Sequence, residues 1–208
     1  MFPFLLELLC QVGMEKNNLG LDEIYTLIWK KLSEGSLNRK HPFHLCFLST
    51  ISLDGSSSES RIVILREVSV DNLSIRCNCD LRSNKAKEIK KNPNTSLLFY
   101  DVDNKIQVRL KTKSEIIENK KITGPIWDDS QEISRRCYYS PPPSSNLSQP
   151  FTNDLLDLTS NELGLNVFGL ILSKVVEIDY LNLNYNGHTR CKFIIDKNKI
   201  IKSNWVTP

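Results

Sequence analysis

The chain has 208 residues, and 27 Lys and Arg against 24 Asp and Glu give it a formal net charge of +3. So small a surplus excludes a protein that coats a polyanion. With 40% apolar and 25% charged residues, the composition is that of a folded globular protein rather than a disordered one. The length favours one domain that spans residues 1–208.

Common nucleotide-binding and hydrolase motifs are missing from the sequence. The glycines never approach the G-x-G-x-x-G spacing, which excludes a dinucleotide fingerprint. Gly164 and Gly169 have the first spacing of a P-loop, but Leu170 and Ile171 stand where Lys and Ser or Thr are needed. There is no H-E-x-x-H, G-x-S-x-G or C-x-x-C. Zinc-protease, serine-hydrolase and zinc-ribbon chemistry therefore lack their minimal residues.

The cysteines are scattered without the paired spacing of a disulfide framework, at positions 10, 46, 77, 79, 137 and 191. This distribution favours a reducing, cytoplasmic location. Cys77 and Cys79 share one face of a predicted strand, and a half-buried strand explains them as well as a metal or redox site does. His41 and His44 are interpreted as loop residues, so we expect no metal site.

The N-terminal segment, residues 1–36, is predicted to be helical. Phe2–Val12 is apolar but is shorter than the roughly 20 residues that span a bilayer, so we expect a short helix that packs on the body of the protein. Apolar residues then recur at helical spacing, at Ile24, Leu27, Ile28 and Leu32. This pattern predicts an amphipathic helix with Gly35 just past its end. No other segment is long enough to span a membrane, so we expect a soluble protein without a membrane partner.

Short runs with period-two alternation predict strands that are joined by tight turns. In chain order, the predicted strands are Leu45–Leu53, Arg61–Val70, Leu73–Cys79, Thr95–Val102, Lys105–Glu118, Leu165–Asp179, Thr189–Ile195 and Ile200–Val206. Helices are predicted at Ser83–Lys91 and Trp127–Arg136, and the Pro- and Ser-rich segment Ser140–Pro150 is predicted to be a linker or flap. Consecutive hairpins favour an antiparallel barrel, mainly β with α decoration.

Alternation also predicts two basic strand faces that a single barrel would leave bare. The first face contains Gln107, Arg109, Lys111 and Lys113, and the second contains His188, Arg190 and Lys192. Binding of single-stranded nucleic acid needs aromatic residues that stack between such cations, and these faces have none. We therefore expect no nucleic-acid partner.

The segment from Asp80 to Lys85 closes a strand and opens a helix. A helix start offers unpaired N–H groups and the positive end of the dipole, and Arg82, Ser83 and Lys85 add charge and a hydroxyl. Such a site suits a phosphate. The alternative is that Ser83 only caps the helix and that its lysines form a solvated face.

Four short motifs follow one another between Arg61 and Arg109. These motifs are, in chain order, Arg61–Arg66, the turn at residues 80–85, Asn92-Pro93 and Gln107-Val108-Arg109. Their order and spacing resemble those of the pyridoxamine 5'-phosphate oxidase family of FMN-binding split barrels. The resemblance runs from about Phe43 to Arg109 and resumes at Arg190 and at Trp205–Pro208. The Asp-Leu-Arg-Ser variant and the segment Trp127–Pro143 are similar to a branch from cyanobacteria and plants. The resemblance implies an antiparallel split β-barrel, FMN as cofactor, and a homodimer with FMN near the subunit interface.

The resemblance also implies which residues contact FMN. They are Arg61, Ile62, Val63, Ile64, Arg66, Asn78, Cys79, Arg82, Ser83, Lys85, Gln107 and Arg190. Arg61 and Lys85 match ligands of the phosphate, whereas Gln107 and Arg190 match positions at the isoalloxazine ring. A donor at the N1–C2=O edge of that ring favours hydride acceptance, because this edge becomes negative on reduction. The alternative for Gln107 and Arg190 is an ordinary solvent-facing position.

The substrate side departs from the family pattern. Tyr180 stands where the oxidases carry a Trp, and Asn186 stands where they carry an Arg that meets the substrate. Arg66 and His188 remain as candidate substrate-side groups. We therefore expect an FMN-dependent oxidoreductase whose small-molecule substrate is open and whose oxidation of pyridoxamine 5'-phosphate is weak or absent. The alternative is a non-catalytic flavin-binding or haem-handling module.

Overall fold

The computed structural model describes residues 19–157, 161–185 and 187–208, and its centre is one antiparallel sheet. The strands are, in chain order, β1 Leu45–Ile51, β2 Ser58–Ser69, β3 Ser74–Asp80, β4 Asn94–Asp101, β5 Ile106–Ile117, β6 Phe168–Asn182, β7 Thr189–Asp196 and β8 Lys199–Trp205. The α-helices in these ranges are α1 Leu21–Leu37, α2 Asn84–Lys91, α3 Lys120–Asp128, α4 Glu132–Arg135 and α5 Asn161–Val167. None of the described helices is long and apolar enough to cross a bilayer.

Six of the strands close into a barrel. The order along the sheet is β3-β2-β1-β4-β5-β6-β7-β8, and β6 also pairs with β3, from Asp80 opposite Phe168 to Ser74 opposite Lys174. Strands β7 and β8 continue the sheet beyond the barrel. The predicted fold class, an antiparallel split β-barrel that is mainly β with α decoration, is confirmed.

The turns follow from their residues. After Asp71-Asn72, Leu73 takes a positive φ of 46° as the chain enters β3. In the β7–β8 hairpin, Lys197 and Asn198 both have positive φ, 46° and 61°. Two such residues give the β7–β8 turn a twist that matches that of its flanking strands.

The barrel interior is filled by residues that alternate along each strand, and α1 covers it on one side. Ile24, Ile28 and Leu32 of α1 are buried, and the ring of Tyr25 lies 5.3 Å from that of Phe193. A second apolar cluster forms outside the barrel around Trp127, Tyr138 and Phe168, and Leu170 joins it. This cluster fixes the segment that leads into the predicted flap.

Helix α1 is longer than predicted, since it includes Gly35 in its last turn. A Cβ at position 35 would lie 2.8 Å from the carbonyl carbon of Phe43. Gly35 is therefore needed for close approach of the next segment rather than as a terminator. The helix predicted at Phe2–Val12 lies outside the described residues.

The helix predicted at Trp127–Arg136 is wrong in its bounds. Helix α3 begins earlier, where the Asn119 side chain accepts a hydrogen bond from the Lys121 N–H, and it ends at Asp128. Pro125 lies inside α3, and proline is a signal that normally discourages a helix prediction. Similarly, residues 161–167 form α5, so β6 begins at Phe168 rather than at Leu165. The segment 140–150 contains no regular helix or strand.

Candidate functional site

The start of α2 has the features of an anion site. Ser83 is the N-cap residue, but its hydroxyl donates to the carbonyl of Asp80 at 2.5 Å instead of capping the helix. The Ser83 carbonyl accepts the N–H groups of Ala86 and Lys87. The preceding N–H groups, those of Asn84 and Lys85, have no acceptor among the described residues. Such unpaired N–H groups at a helix start can donate hydrogen bonds to an anion.

The arginines near this helix start are already bound to carboxylates. Arg82 pairs with Asp80, with Nη2 at 2.6 Å from Oδ2 and Nε at 3.0 Å from Oδ1. Arg61 pairs with Glu88, with Nη2 at 2.9 Å from Oε2, and its Nη1 also donates to the Thr50 hydroxyl. Both carboxylates are buried. The two arginines are thereby held in place, but their charges are largely balanced.

Lys85 differs from these arginines. It is half-buried, and it makes no hydrogen bond or ion pair with any residue that the structure describes. An unpaired ammonium beside unpaired helix N–H groups is the arrangement that a phosphate monoester requires. Lys85 is therefore the strongest of the predicted phosphate ligands, and its role stays a prediction.

Arg66 lies at an irregularity of the sheet. The β2–β3 register shifts between Leu65 and Glu67, so Arg66 is the unpaired residue of a bulge. Its Nε is buried and has no partner among the described residues. Burial raises the pKa of the nearby Tyr138, and the positive charge of Arg66 acts in the opposite direction. An orphaned buried guanidinium N–H is costly unless a ligand atom accepts from it, so this position fits the oxygen-rich groups of FMN.

The predicted flavin-lining residues fall into two sets. The side chains of Ile62 and Ile64 are exposed on the outer face of β2, whereas those of Val63 and Cys79 are buried inside the barrel. Val63 and Cys79 could contact a ligand outside the barrel only through their backbone. Asn78 is half-buried and accepts a hydrogen bond from Arg76 at 2.9 Å.

A second group of predicted ligands lies on the outer face of β5, β6 and β7. Gln107 pairs with Leu181, and Leu181 pairs with Arg190, so these residues form one row across three strands. His188 is exposed just before β7. Asn186 lies outside the described residues, and Tyr180 is buried inside the barrel.

The cations on these faces are exposed, at 46% for Arg109 and 67% for Lys111, but the prediction that the faces are wholly basic is wrong, because β6 places two carboxylates between the cations. Arg190 holds Asp179 through two hydrogen bonds, Nε to Oδ1 at 2.9 Å and Nη2 to Oδ2 at 2.8 Å, and Arg109 donates to the same carboxylate. Glu177 lies 3.0 Å from the ammonium of Lys111. The alternation of β6 puts Glu177 and Asp179 on one face, and this signal could have identified both residues from the sequence.

The ion pairs determine the protonation of Asp179. Burial acts to raise the pKa of its carboxyl, but the hydrogen bonds from Arg190 and Arg109 outweigh burial and lower the net pKa below that of an ordinary aspartate. Asp179 is therefore an anion at neutral pH and a permanent acceptor for both guanidinium groups.

The two groups of predicted FMN contacts lie on different parts of the barrel wall. A row of paired residues crosses the outer face from β2 to β7 and consists of Ile62, Phe47, Leu98, Arg109, Asp179 and Lys192. Strands in a sheet are about 4.8 Å apart, so the path along this curved wall from Ile62 is roughly 14 Å to Arg109 and roughly 24 Å to Lys192. Between them the surface is apolar.

A cavity of about 350 Å³ lies under the Pro- and Ser-rich flap. Its apolar lining includes Pro141, Leu147 and Phe151, and its polar lining includes Arg136 and Cys137. Burial raises the pKa of the Cys137 thiol, and the nearby charges of Lys85 and Arg66 oppose that shift, so this wall of the cavity lies near the candidate phosphate site.

The closed antiparallel barrel is that of a split barrel, and the start of α2 is its candidate anion site. Residues 26–118 match the family described as pyridoxamine 5'-phosphate oxidase, FMN-binding domain. A relative from Arabidopsis thaliana, pyridoxine/pyridoxamine 5'-phosphate oxidase 2, is 29% identical over 168 residues, which cover 76% of this chain and 84% of the relative. Residues 26–118 therefore match this FMN-binding domain, and the chain is similar in sequence to a protein named as an oxidase of this kind.

Solved structures agree in fold. A pyridoxamine 5'-phosphate oxidase-related, FMN-binding protein from Nostoc punctiforme aligns with a TM-score of 0.73 at 17% identity, covering 92% of this chain and 100% of that one. PhzG from Burkholderia lata, in complex with tetrahydrophenazine-1-carboxylic acid, aligns with a TM-score of 0.71 at 16% identity and covers 92% of this chain and 98% of its own. FMN is thus the cofactor of this family, as predicted. The assignment to a cyanobacterial and plant branch stays a prediction.

Proposed function

We propose that this protein is an FMN-dependent oxidoreductase that acts on a small molecule as a homodimer, with FMN bound near the subunit interface. The observation that carries the proposal is the split of the candidate site. Lys85, Arg66 and the end of β2 lie on one part of the barrel, whereas Gln107 lies on β5, three strands away, and Arg190 lies on β7, which continues the sheet beyond the barrel. One subunit could supply the phosphate site and its partner the ring contacts.

The surface between the two groups supports a second copy of the chain as the occupant. Five large apolar side chains on the outer face of β1, β2 and β4 are between 37% and 56% exposed: Leu45, Phe47, Ile62, Ile64 and Tyr100. A continuous apolar surface of this kind is characteristic of an interface. Packing this face against itself about a twofold axis would bring the β5–β7 face of one subunit towards β2 of the other.

In this arrangement each residue has a defined task. The helix start at α2 and Lys85 hold the phosphate, Arg61 is oriented by Glu88, and the orphaned Nε of Arg66 donates to a bound oxygen. Gln107 and Arg190 direct donors at the ring. Held by these residues, FMN would supply the redox chemistry, namely acceptance of a hydride from the substrate and reoxidation by O₂ or another acceptor.

The cofactor assignment is tested by comparing two lysines of the same helix. Lys85→Ala should weaken FMN binding about 10- to 100-fold, since a charge-assisted contact to phosphate contributes roughly 1.5–3 kcal/mol. Lys87→Ala, which removes an exposed lysine two residues away, should leave binding unchanged. Flavin fluorescence titration measures both, and equal dissociation constants for the two variants would refute the site. The double variant Arg61→Ala with Lys85→Ala should purify without flavin.

The dimer is tested by adding charge to the apolar face. Phe47→Glu should convert a dimer into a monomer in sedimentation velocity and should lower FMN occupancy. The matched control is Ile133→Glu on α4, where the isoleucine is also exposed, at 64%, but lies away from this face. A wild-type protein that is monomeric while it binds FMN stoichiometrically would overturn the shared site.

Activity is tested with pyridoxamine 5'-phosphate at saturating FMN. Because the substrate side departs from the family pattern at position 186, we expect kcat/KM to fall below about 10⁴ M⁻¹s⁻¹. A higher value would show that pyridoxamine 5'-phosphate is a substrate. Arg66→Ala and His188→Ala should lower the turnover of whichever substrate is found. If no reductant reduces the bound flavin, the non-catalytic alternative replaces the enzyme.

We also propose a cytoplasmic location. It is supported by five cysteines that the structure leaves as free thiols, at 46, 77, 79, 137 and 191, a state that a reducing compartment maintains.

A further inference from the structure

Asp179 is a buried carboxylate on an outer face of the sheet that is otherwise half-exposed. Its side chain is 4% exposed, although β6 carries it towards the same side as the solvent-accessible Arg109 and Lys192. Three cations surround it: Arg190 and Arg109 through hydrogen bonds, and the Lys192 ammonium at 3.6 Å. A carboxylate with this many charged partners is more constrained than an ordinary surface ion pair.

The geometry of the Arg190 pair fixes the plane of the guanidinium. Its Nε and Nη2 donate to the two different oxygens of Asp179, at 2.9 and 2.8 Å, in a fork-to-fork pair. A third donor, Nη1, reaches the carbonyl of Thr207 at 3.4 Å. Arginine has five N–H groups, so the remaining two are held in a direction that the other three determine.

We propose that Asp179 is a positioning residue that orients Arg190 towards the isoalloxazine ring of FMN. This inference rests on the proposed function, which places Arg190 at the ring. A free arginine side chain samples many rotamers, and ordering it on binding opposes affinity. Asp179 removes that cost in advance, so the guanidinium of Arg190 is preorganised before FMN arrives.

Glu177 provides a matched control on the same strand and the same face. It contacts Lys111 at 3.0 Å and Lys192 at 3.8 Å, but neither of its oxygens bonds to Arg190 among the described contacts. Its side chain is 17% exposed, and it lies in β6 as Asp179 does. Glu177→Gln therefore removes one negative charge near the same face without releasing Arg190.

The experiment is a double-mutant cycle on FMN affinity in the full-length protein. Arg190→Lys keeps the charge but loses the fork, and it should weaken FMN binding about tenfold in the otherwise native protein. In an Asp179→Asn background the same change should weaken binding less than twofold, because Arg190 is already unoriented. In a Glu177→Gln background the tenfold effect should persist. The midpoint potential of the bound flavin should follow the same pattern, shifting with Arg190→Lys in the native and Glu177→Gln proteins only.

Asp179→Glu separates positioning from charge, and it also serves if Asp179→Asn does not fold. It keeps the anion but moves the carboxylate by one methylene, so it should weaken FMN binding nearly as much as Asp179→Asn does. Native affinity in Asp179→Glu would show that charge alone matters and would overturn the inference. An equal tenfold effect of Arg190→Lys in the native and Asp179→Asn proteins would overturn it as well. If Arg190→Lys has no effect in any background, the proposed placement of Arg190 at the ring fails instead.

Discussion

The two cationic regions of this protein are built differently. At α2, Arg61 and Arg82 each have their own buried carboxylate, Glu88 and Asp80, whereas Lys85 has no partner in the part of the chain that the structure describes. On the outer face of β5–β7, two arginines share the single carboxylate of Asp179. The first region therefore offers an anion the ammonium of Lys85, which no described carboxylate balances. The second has guanidinium groups that are fixed in direction but whose charge is partly balanced, which suits a polar ring edge better than a phosphate.

The largest expected effect on stability comes from breaking the ion pair between Arg61 and Glu88 in the first region. Glu88→Ala leaves Arg61 without its anion in a buried setting, so the free energy of unfolding should fall by about 3 kcal/mol. Urea denaturation at neutral pH measures it. The control is Glu118→Ala, which removes the exposed partner of Lys90 at 2.9 Å. A loss for Glu88→Ala no larger than for its control would show that the Arg61 pair does not stabilise the fold.

An intermediate effect is expected at Asp179, and it depends on pH. Asp179→Asn should lower the free energy of unfolding by about 2 kcal/mol at pH 7, since hydrogen bonds to charged groups are lost. The folded pKa of Asp179 is lower than its unfolded value, which is about 3.9. The stabilisation by the ionised carboxyl is therefore complete above about pH 4 and is lost as pH falls through the folded pKa. Urea titrations at pH 7, 5 and 3 should show the gap between variant and wild type closing only at the lowest pH, and a constant gap would contradict this account.

The smallest effect is expected where pairs are exposed. The side chains of Lys90 and Glu118 are 47% and 56% exposed, so Lys90→Ala should change the free energy of unfolding by less than about 0.5 kcal/mol. The change should become smaller still in 1 M salt, because salt screens exposed charges. A decrease of more than 1 kcal/mol in the free energy of unfolding would mean that this exposed pair stabilises the fold as the buried pairs do.

The sequence predicts those parts of the fold that depend on neighbouring residues. The hairpins at Asp71-Asn72 and Asp103-Asn104 were identified because turn residues and period-two alternation act locally. Helix α3 was placed wrongly because Pro125 is tolerated inside it, and α5 because Leu165 and Val167 also suit a strand. Tertiary packing around Trp127 decides both.

The candidate site was predictable in its residue types but not in its pairings. Order and spacing predict Lys85, Gln107 and Arg190 as candidates, since those motifs are short and contiguous. The partners of the arginines come from distant parts of the chain, as Glu88 does for Arg61. Counting cations along the sequence therefore overestimated the free positive charge. Only the register of β5, β6 and β7 shows that Asp179 stands between Arg109 and Arg190.

The late position of β6 in the sequence affects how the chain folds during synthesis. It closes the barrel by pairing its first half with β3, where Phe168 lies opposite Asp80, and it pairs along its length with β5. During synthesis, β1 to β5 leave the ribosome long before residue 168 does, so β3 has an unpaired edge throughout that interval. Closure at such sequence separation raises the contact order and slows folding. The nascent chain is thus most exposed to aggregation between the completion of β5 and the arrival of β6, which is the period when a chaperone would matter most.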